Sequence, residues 1–224
     1  MRLLAVADII EPRLYNSAAA QWLGQIDMII SCGDLPPYYL DYLVSNLNVP
    51  LLHVLGNHCF GPHDLGQTCS PQTFAGAYNL NGHVADYNGL LLAGLEGSPL
   101  YNGGPHQYTE QQVRVALLKL VPFLLRNKVR TGRYLDVMVT HAPPRGIQDN
   151  NDLAHQGFVP LLSFIRTFRP ALLLHGHVHR YDPMLPMQSD YSATRVINAY
   201  GHAIIDIERT ADGWTLPLSQ GSKR

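Results

Sequence analysis

The sequence predicts an α/β fold built on a mainly parallel sheet, and two observations carry that expectation. Over residues 2–55 short apolar runs alternate with helical stretches, the strand–helix–strand–helix–strand rhythm of right-handed crossovers. Five apolar runs along the chain also end directly in Asp, Asn or His. Open α/β sheets present ligands at that place, outside the carboxyl ends of their strands.

Taken in order, Arg2 to Ala7 is a compact apolar run and reads as the first strand. Leu14 to Leu23 is helical in composition, its alanines being strong formers. Ile26 to Ile30 is the second strand, and Pro36 and Pro37 suit a loop and the first turn of a helix reaching about Asn46. Leu51 to Leu55 is the third strand, and residues 59–82, rich in Gly, Pro, Asn and Ser, read as mostly irregular. His83–Tyr87 and Leu90–Leu95 flank Asn88-Gly89, a strong two-residue hairpin signal. After a loop from Glu96 to Tyr108, Thr109 and Gln112 form a capping box for the longest helix, which Pro122 is expected to kink or break before Asn127. Leu135–Thr140 is a strand, 147–157 a polar loop, Pro160–Phe168 a helix and Pro170–Leu174 a buried strand. Thr194–Ala199 and Ala203–Glu208 read as a final antiparallel pair. Without repeats, low-complexity tracts or a linker, residues 1–209 read as one domain, followed by a polar tail, 210–224, expected to fray.

Composition narrows the function classes. Sixteen Lys and Arg against seventeen Asp and Glu leave a formal charge of −1, no electrostatic footprint for a nucleic acid or an anionic membrane. Nucleic acid is therefore disfavoured as a partner. Three cysteines (Cys32, Cys59, Cys69) with no CxxC favour a reducing compartment over a disulfide framework. The first apolar run is interrupted by Asp8 and does not read as a secretory leader, and no stretch approaches the ~20 apolar residues of a membrane span. The expectation is a soluble cytoplasmic protein. Its eleven histidines point to metal or proton chemistry.

That chemistry has a location. Val6-Ala7-Asp8, Ser31-Cys32-Gly33-Asp34, Val54-Leu55-Gly56-Asn57-His58, Val139-Thr140-His141 and Leu174-His175-Gly176-His177-Val178-His179 each place polar donors at a strand end. Unpaired carboxylates are costly there, and a divalent cation resolves the cost. Asp, Asn and His together supply the mixed oxygen and nitrogen set that manganese, iron or zinc accepts. In extended chain, alternate side chains share a side, so His177 and His179 can converge. Gly33, Gly56 and Gly176 each precede a candidate ligand, as close backbone approach requires.

These fragments, in this order over residues 8–179, resemble the motifs of the calcineurin-like metallophosphoesterase superfamily. The resemblance implies a four-layer α/β/β/α sandwich, two mixed sheets flanked by helices, with a two-metal centre at the strand ends. It implies that Asp34 bridges both cations, that Asp8 and His179 hold the first, and that Asn57, His141 and His177 hold the second. His58 would stand near the leaving group as a proton donor. The reaction implied is hydrolysis of a phosphodiester or phosphomonoester by a metal-activated hydroxide, with no covalent enzyme intermediate. Compact single-domain relatives tilt the expectation toward the diester, and a small-molecule phosphate ester is the expected substrate.

The pattern breaks at its start. The family's Asp-x-His reads Asp8-Ile9-Ile10 here, and isoleucine cannot ligate, so the first site is expected to be weak or empty. A rival reading follows: a non-catalytic metal-binding scaffold or regulatory member. Survival of His58 and of every second-cation residue favours the enzyme. Around the site, Arg145 is a candidate phosphate guide or turn cap, and His155 a candidate contact to phosphate or the depleted cation or a solvated loop histidine. Tyr38 and Tyr39 read as cleft wall or packing, Glu96 as a supporting carboxylate or surface loop residue, and His53 as a core or edge histidine. Asn198 is a candidate brace behind the site, and Cys59 a ligand or an inert thiol.

Overall fold

The computed structural model describes residues 1–58, 76–179, 186–211 and 213–217. The chain begins with β1 (Arg2–Ala7), α1 (Ala19–Leu23), β2 (Met28–Ser31), α2 (Pro37–Leu47), β3 (Leu51–His53) and β4 (Ala77–Asn79). It continues through β5 (Val84–Tyr87), β6 (Leu90–Leu95), β7 (Ser98–Pro99), β8 (Gln107–Tyr108), α3 (Glu110–Thr131), β9 (Val137–Thr140), α4 (Val159–Phe168) and β10 (Leu172–His175). It closes with β11 (Gln188–Tyr191), β12 (Thr194–Asn198), β13 (Gly201–Asp206), β14 (Glu208–Thr210) and β15 (Gly213–Thr215).

The strands form two mixed sheets, as the family resemblance implies, and the mainly parallel order read from the residues holds for their central strands. The first has the order β13-β1-β2-β3-β4 and the second β11-β12-β10-β9-β6-β5. Antiparallel strands (β13 in the first, β11 and β5 in the second) stand at the edges, and the central strands are parallel. Side chains alternate across each strand, so a strand covered on both faces must be apolar at every position. In β1, Leu3, Ala5 and Ala7 join Val137, Val139, Leu172 and Leu174 of the other sheet in the central core. Leu4 and Val6 point the other way, into a cluster with Leu23 of α1 and Leu40 and Leu43 of α2. The second sheet behaves likewise: Met138 and Leu173 pack outward on Leu117, Leu120 and Leu124 of α3 and Leu161 and Ile165 of α4. The layers are helix, sheet, sheet, helix, as the family resemblance implies.

Several local expectations hold. The hairpin at Asn88-Gly89 joins β5 to β6, both turn residues at positive φ (52° and 85°), the geometry that matches strand twist. Thr109 accepts from the Gln112 amide while the Gln112 side chain accepts from the Thr109 amide, the expected box. Thr109→Ala is expected to destabilise the fold by about 1 kcal/mol, read as a lower denaturant midpoint at unchanged slope.

Others are corrected. The helix expected over 14–23 shrinks to α1, because Asn16 Oδ1 takes the Ala18 amide at 2.8 Å in a local turn that competes with helix. Helix α3 runs through Pro122 to Thr131 and stops at Gly132 (φ 77°), because its buried face packs on both sides of the proline. The last two long strands do not pair with each other. β12 lies parallel to β10 in one sheet and β13 antiparallel to β1 in the other, with the Ala199-Tyr200 connection crossing between them. Part of the tail expected from residue 210 carries strand among the described residues. β14 pairs with β15, and the Trp214 indole donates to the Gly89 carbonyl at 3.0 Å. Strands β4, β7, β8 and β11 have no counterpart in the sequence reading, and most of the irregular stretch expected over 59–82 lies outside the described residues. Among the described residues no helix is long and apolar enough to cross a membrane.

Candidate metal centre

Because β1, β2 and β3 run parallel, and β9 and β10 do so in the facing sheet, the ends of all five reach one rim. Asp8 and His141 follow their strands directly, and His177, Asp34 and Asn57 stand two, three and four residues beyond theirs. The two sheets are tied there by the His177 amide, which donates to both Asp8 carboxylate oxygens at 3.0 Å, while within the second sheet the Gly176 amide donates to the His141 carbonyl at 3.0 Å. Asp8, Asp34 and His177 all have positive φ (68°, 55° and 66°). Such conformations cost roughly 1–3 kcal/mol each and persist where the surroundings enforce them, as they do at functional sites.

Asp34, His141 and His177 are buried, and one potential ligand atom from each lies within 4.8 Å of the others. Asn57 Oδ1, also buried, is 3.0 Å from His141 Nε2, and Asp34 Oδ2 is 3.2 Å from the same nitrogen. The backbone settles which nitrogens can ligate. His141 Nδ1 donates to the Cys32 carbonyl at 2.8 Å, leaving Nε2 toward Asp34 and Asn57. His177 Nε2 donates to the Ala154 carbonyl at 2.6 Å, leaving Nδ1 as its lone-pair nitrogen. One carboxylate, one amide oxygen and two oriented imidazoles fit a divalent transition metal.

Electrostatics agree with the donor set. Burial opposes charge on His141, but the Asp34 carboxylate outweighs it and lifts the imidazole to about 9. Burial likewise opposes the Asp34 charge, while His141 and the His58 amide (2.9 Å) hold its carboxyl below the ordinary range. The pocket thus requires positive charge between these two groups, from a proton or from a cation that displaces it. Desolvation pushes His177 down to about 3, keeping it neutral as a ligand must be. Desolvation pushes Asp8 up to about 7, with His141 opposing and the neighbouring Asp34 adding to the shift.

The remaining candidates divide. His58 is exposed, its Nε2 3.9 Å from Asp34 Oδ2. His179 is half-buried, its ring 4.9 Å from that of Tyr200, and it is outside the three-residue donor group. Ile10 packs on the helical layer against the cluster of α1 and α2. The His155 ring lies 5.1 Å from His177, inside the histidine packet. Arg145 is engaged by the chain itself, donating to the Gly157 carbonyl at 3.1 Å and facing Glu110 at 3.9 Å. Tyr38 is exposed and meets Tyr15 edge-on at 6.3 Å, while Tyr39 is buried and its hydroxyl accepts the Glu11 amide. Glu96 is buried rather than on the surface, accepting from Tyr108 at 2.6 Å and paired with His106 at 3.1 Å. His53 is a core residue. Asn198 donates to the Val178 carbonyl at 2.8 Å and accepts the Tyr200 amide at 2.9 Å, behind the packet. Cys59 lies outside the described residues.

Sequence reasoning missed three supports: the Cys32 and Ala154 carbonyls, and Tyr101, whose hydroxyl accepts from Asn57 Nδ2 at 3.3 Å. Carbonyls leave no residue signal, and Tyr101 sits in a loop whose placement depends on the fold.

Comparison with known proteins agrees with this architecture. One solved structure aligns with a TM-score of 0.61 at 15% identity, over 92% of this chain and 94% of its own. TT1561 of Thermus thermophilus aligns with a TM-score of 0.52 at 15% identity, over 89% of each chain. GAP50 of Plasmodium, described as the anchor in the inner membrane complex, aligns at 0.53 with 12% identity, over 96% of this chain and 82% of its own. At these identities the likeness establishes the fold. No curated protein sequence matches the chain significantly. The calcineurin-like phosphoesterase profile matches residues 1–181, which takes in every strand end of the metal centre, and the chain therefore belongs to that family.

Proposed function

We propose that this protein is a metal-dependent hydrolase of small-molecule phosphate esters, with diesters preferred over monoesters. One observation carries the reading: four strand ends from two sheets deliver Asp34, Asn57, His141 and His177 to one buried pocket with their ligating atoms already oriented. Asp34, Asn57, His141 and His177 would hold one divalent cation, and Asp8, Asp34 and His179 a second; manganese, iron and zinc all suit these donors. When bound, the cations supply positive charge for the phosphoryl oxygens and acidify water.

The chain's own residues supply the rest. Asp34 fixes the His58 backbone through the amide bond, and this leaves the His58 imidazole exposed at the mouth of the pocket. Its Nε2 would deliver a proton to the departing ester oxygen as water oxygen bonds to phosphorus. Cys32 and Ala154 hold two histidines in the ligating tautomer, and Tyr101 fixes the Asn57 amide so that Oδ1 faces inward.

The test is turnover of bis-aryl and dialkyl phosphodiesters by the purified chain in manganese. His58→Gln is expected to leave metal content unchanged. It should leave departure of an activated aryl group within about 2-fold of the wild type and slow departure of a poor alkyl group about 10²-fold, since only the latter needs its proton in the transition state. Equal trace rates for the wild type and Asp34→Asn would instead support the rival reading, a metal-bearing scaffold.

A further inference from the structure

Ile10 leaves the first cation short of a nitrogen ligand, and the polar loop 147–157 carries an imidazole, His155, into the histidine packet. The His155 ring is centred 5.1 Å from that of His177 and 6.3 Å from that of His179. Two imidazoles bound to one ion at about 2.1 Å stand with ring centres from about 4.5 Å (adjacent positions) to about 6.4 Å (opposite positions) apart; the His155–His179 separation fits nearly opposite positions on one ion, and the His141–His177 pair inside the donor group, at 4.8 Å, fits adjacent ones.

The orientation of His155 is also constrained. Its Nδ1 pairs with Asp152 Oδ1 at 2.8 Å, and the same oxygen accepts the Ala154 and His155 amides at 3.1 Å each. Nε2 is then the nitrogen available to a ligand. A carboxylate behind an imidazole is the usual device for fixing the tautomer of a metal ligand.

The loop is tied to His177 by one hydrogen bond and braced internally by two others. The Ala154 carbonyl takes the His177 Nε2 proton, the Asn150 amide donates to the His155 carbonyl at 3.1 Å, and the Gly157 amide to Asp149 Oδ2 at 3.0 Å. An exposed histidine on a slack loop would need none of this. Ile10, meanwhile, is committed to packing on the helical layer.

We propose that His155 replaces the histidine missing at position 10, completing the shell of the first cation with Asp8, Asp34 and His179. The inference rests on the metal-dependent reading above. Asp152 is a positioning residue that holds the imidazole.

Manganese stoichiometry by elemental analysis and by calorimetric titration with MnCl₂ tests it. The wild type is expected to bind two ions per chain and His155→Ala one, with affinity for the remaining ion unchanged. Adding Ile10→His to His155→Ala should restore two, which a merely unfolded loop would not allow. Asp152→Asn should weaken the first ion 10–100-fold without removing it. Two ions retained in His155→Ala, or one ion in the wild type unaffected by that change, overturns the assignment and leaves the proposed function standing. A wild type that binds no divalent metal overturns both.

Discussion

Asp34→Asn is expected to lower phosphodiester turnover on the order of 10³-fold, about 4 kcal/mol of transition-state stabilisation, and to reduce bound metal below one ion per chain. The substitution is nearly isosteric. Asn keeps an oxygen for the His58 amide, now 2.9 Å from Asp34 Oδ1, so the β2–β3 junction stays closed. What it loses is charge. Asp34 is the carboxylate that lifts His141 to about 9 and the one acidic member of the three-residue donor group. It is also the group proposed to touch both cations, so one change weakens two sites. An asparagine amide turned toward His141 Nε2 would add a donor where a cation must sit. Elemental analysis with a circular dichroism spectrum separates loss of metal from loss of fold. Retention of full metal content with full activity would remove Asp34 from the centre.

The rim of the site was legible in the sequence because each fragment ended an apolar run in a group that cannot stay buried alone. Asp8, Asp34, Asn57, His141 and His177 all lie where that argument puts them, at the ends of parallel strands. The number of sheets was not legible from the residues. A strand covered on both faces reads the same whether its neighbour is a helix or a second sheet, and Leu3 to Ala7 carries no mark of which side meets which. Only the family resemblance implied two layers of strands. The same blindness made β12 and β13 look like a hairpin. Their short connection satisfies hairpin spacing, but the Ala199 amide bonds to the His175 carbonyl at 2.7 Å and Tyr200 bridges to Ala7. Those tertiary partners carry the two strands apart. Support for the ligands was the least legible part, since the Cys32 and Ala154 carbonyls are set by backbone path alone.

Gly33→Ala is expected to destabilise the protein by about 2–5 kcal/mol and to reduce metal affinity and turnover at least ~10²-fold, although no ligand is altered. Two costs combine. At φ 101° an L side chain is strained, by roughly 1–2 kcal/mol. An added Cβ would also lie 2.6 Å from the Gly56 nitrogen, 2.7 Å from His141 Nδ1 and 2.9 Å from the Gly56 α-carbon. Two of those atoms are backbone and the third belongs to a fully buried ring, so none can swing aside, and overpacking adds roughly 1–3 kcal/mol. Gly56 is equally tight from the other side: a Cβ there would meet Asp34 Oδ1 at 1.9 Å. The ends of β2 and β3 are thus pressed together through two glycines, and Asp34 and Asn57 are the next residue of each. Forcing the ends apart by even part of an ångström separates two ligands of one ion, and misplacement by 1 Å is worth ~10²-fold. Gly132→Ala supplies the control. Its φ of 77° imposes comparable backbone strain, but nothing lies within 4 Å of the added methyl, at a helix end remote from the rim. It should destabilise by about 1 kcal/mol with metal content intact. If both variants lose stability equally and both keep their metal, close approach of the strand ends is not what positions the ligands.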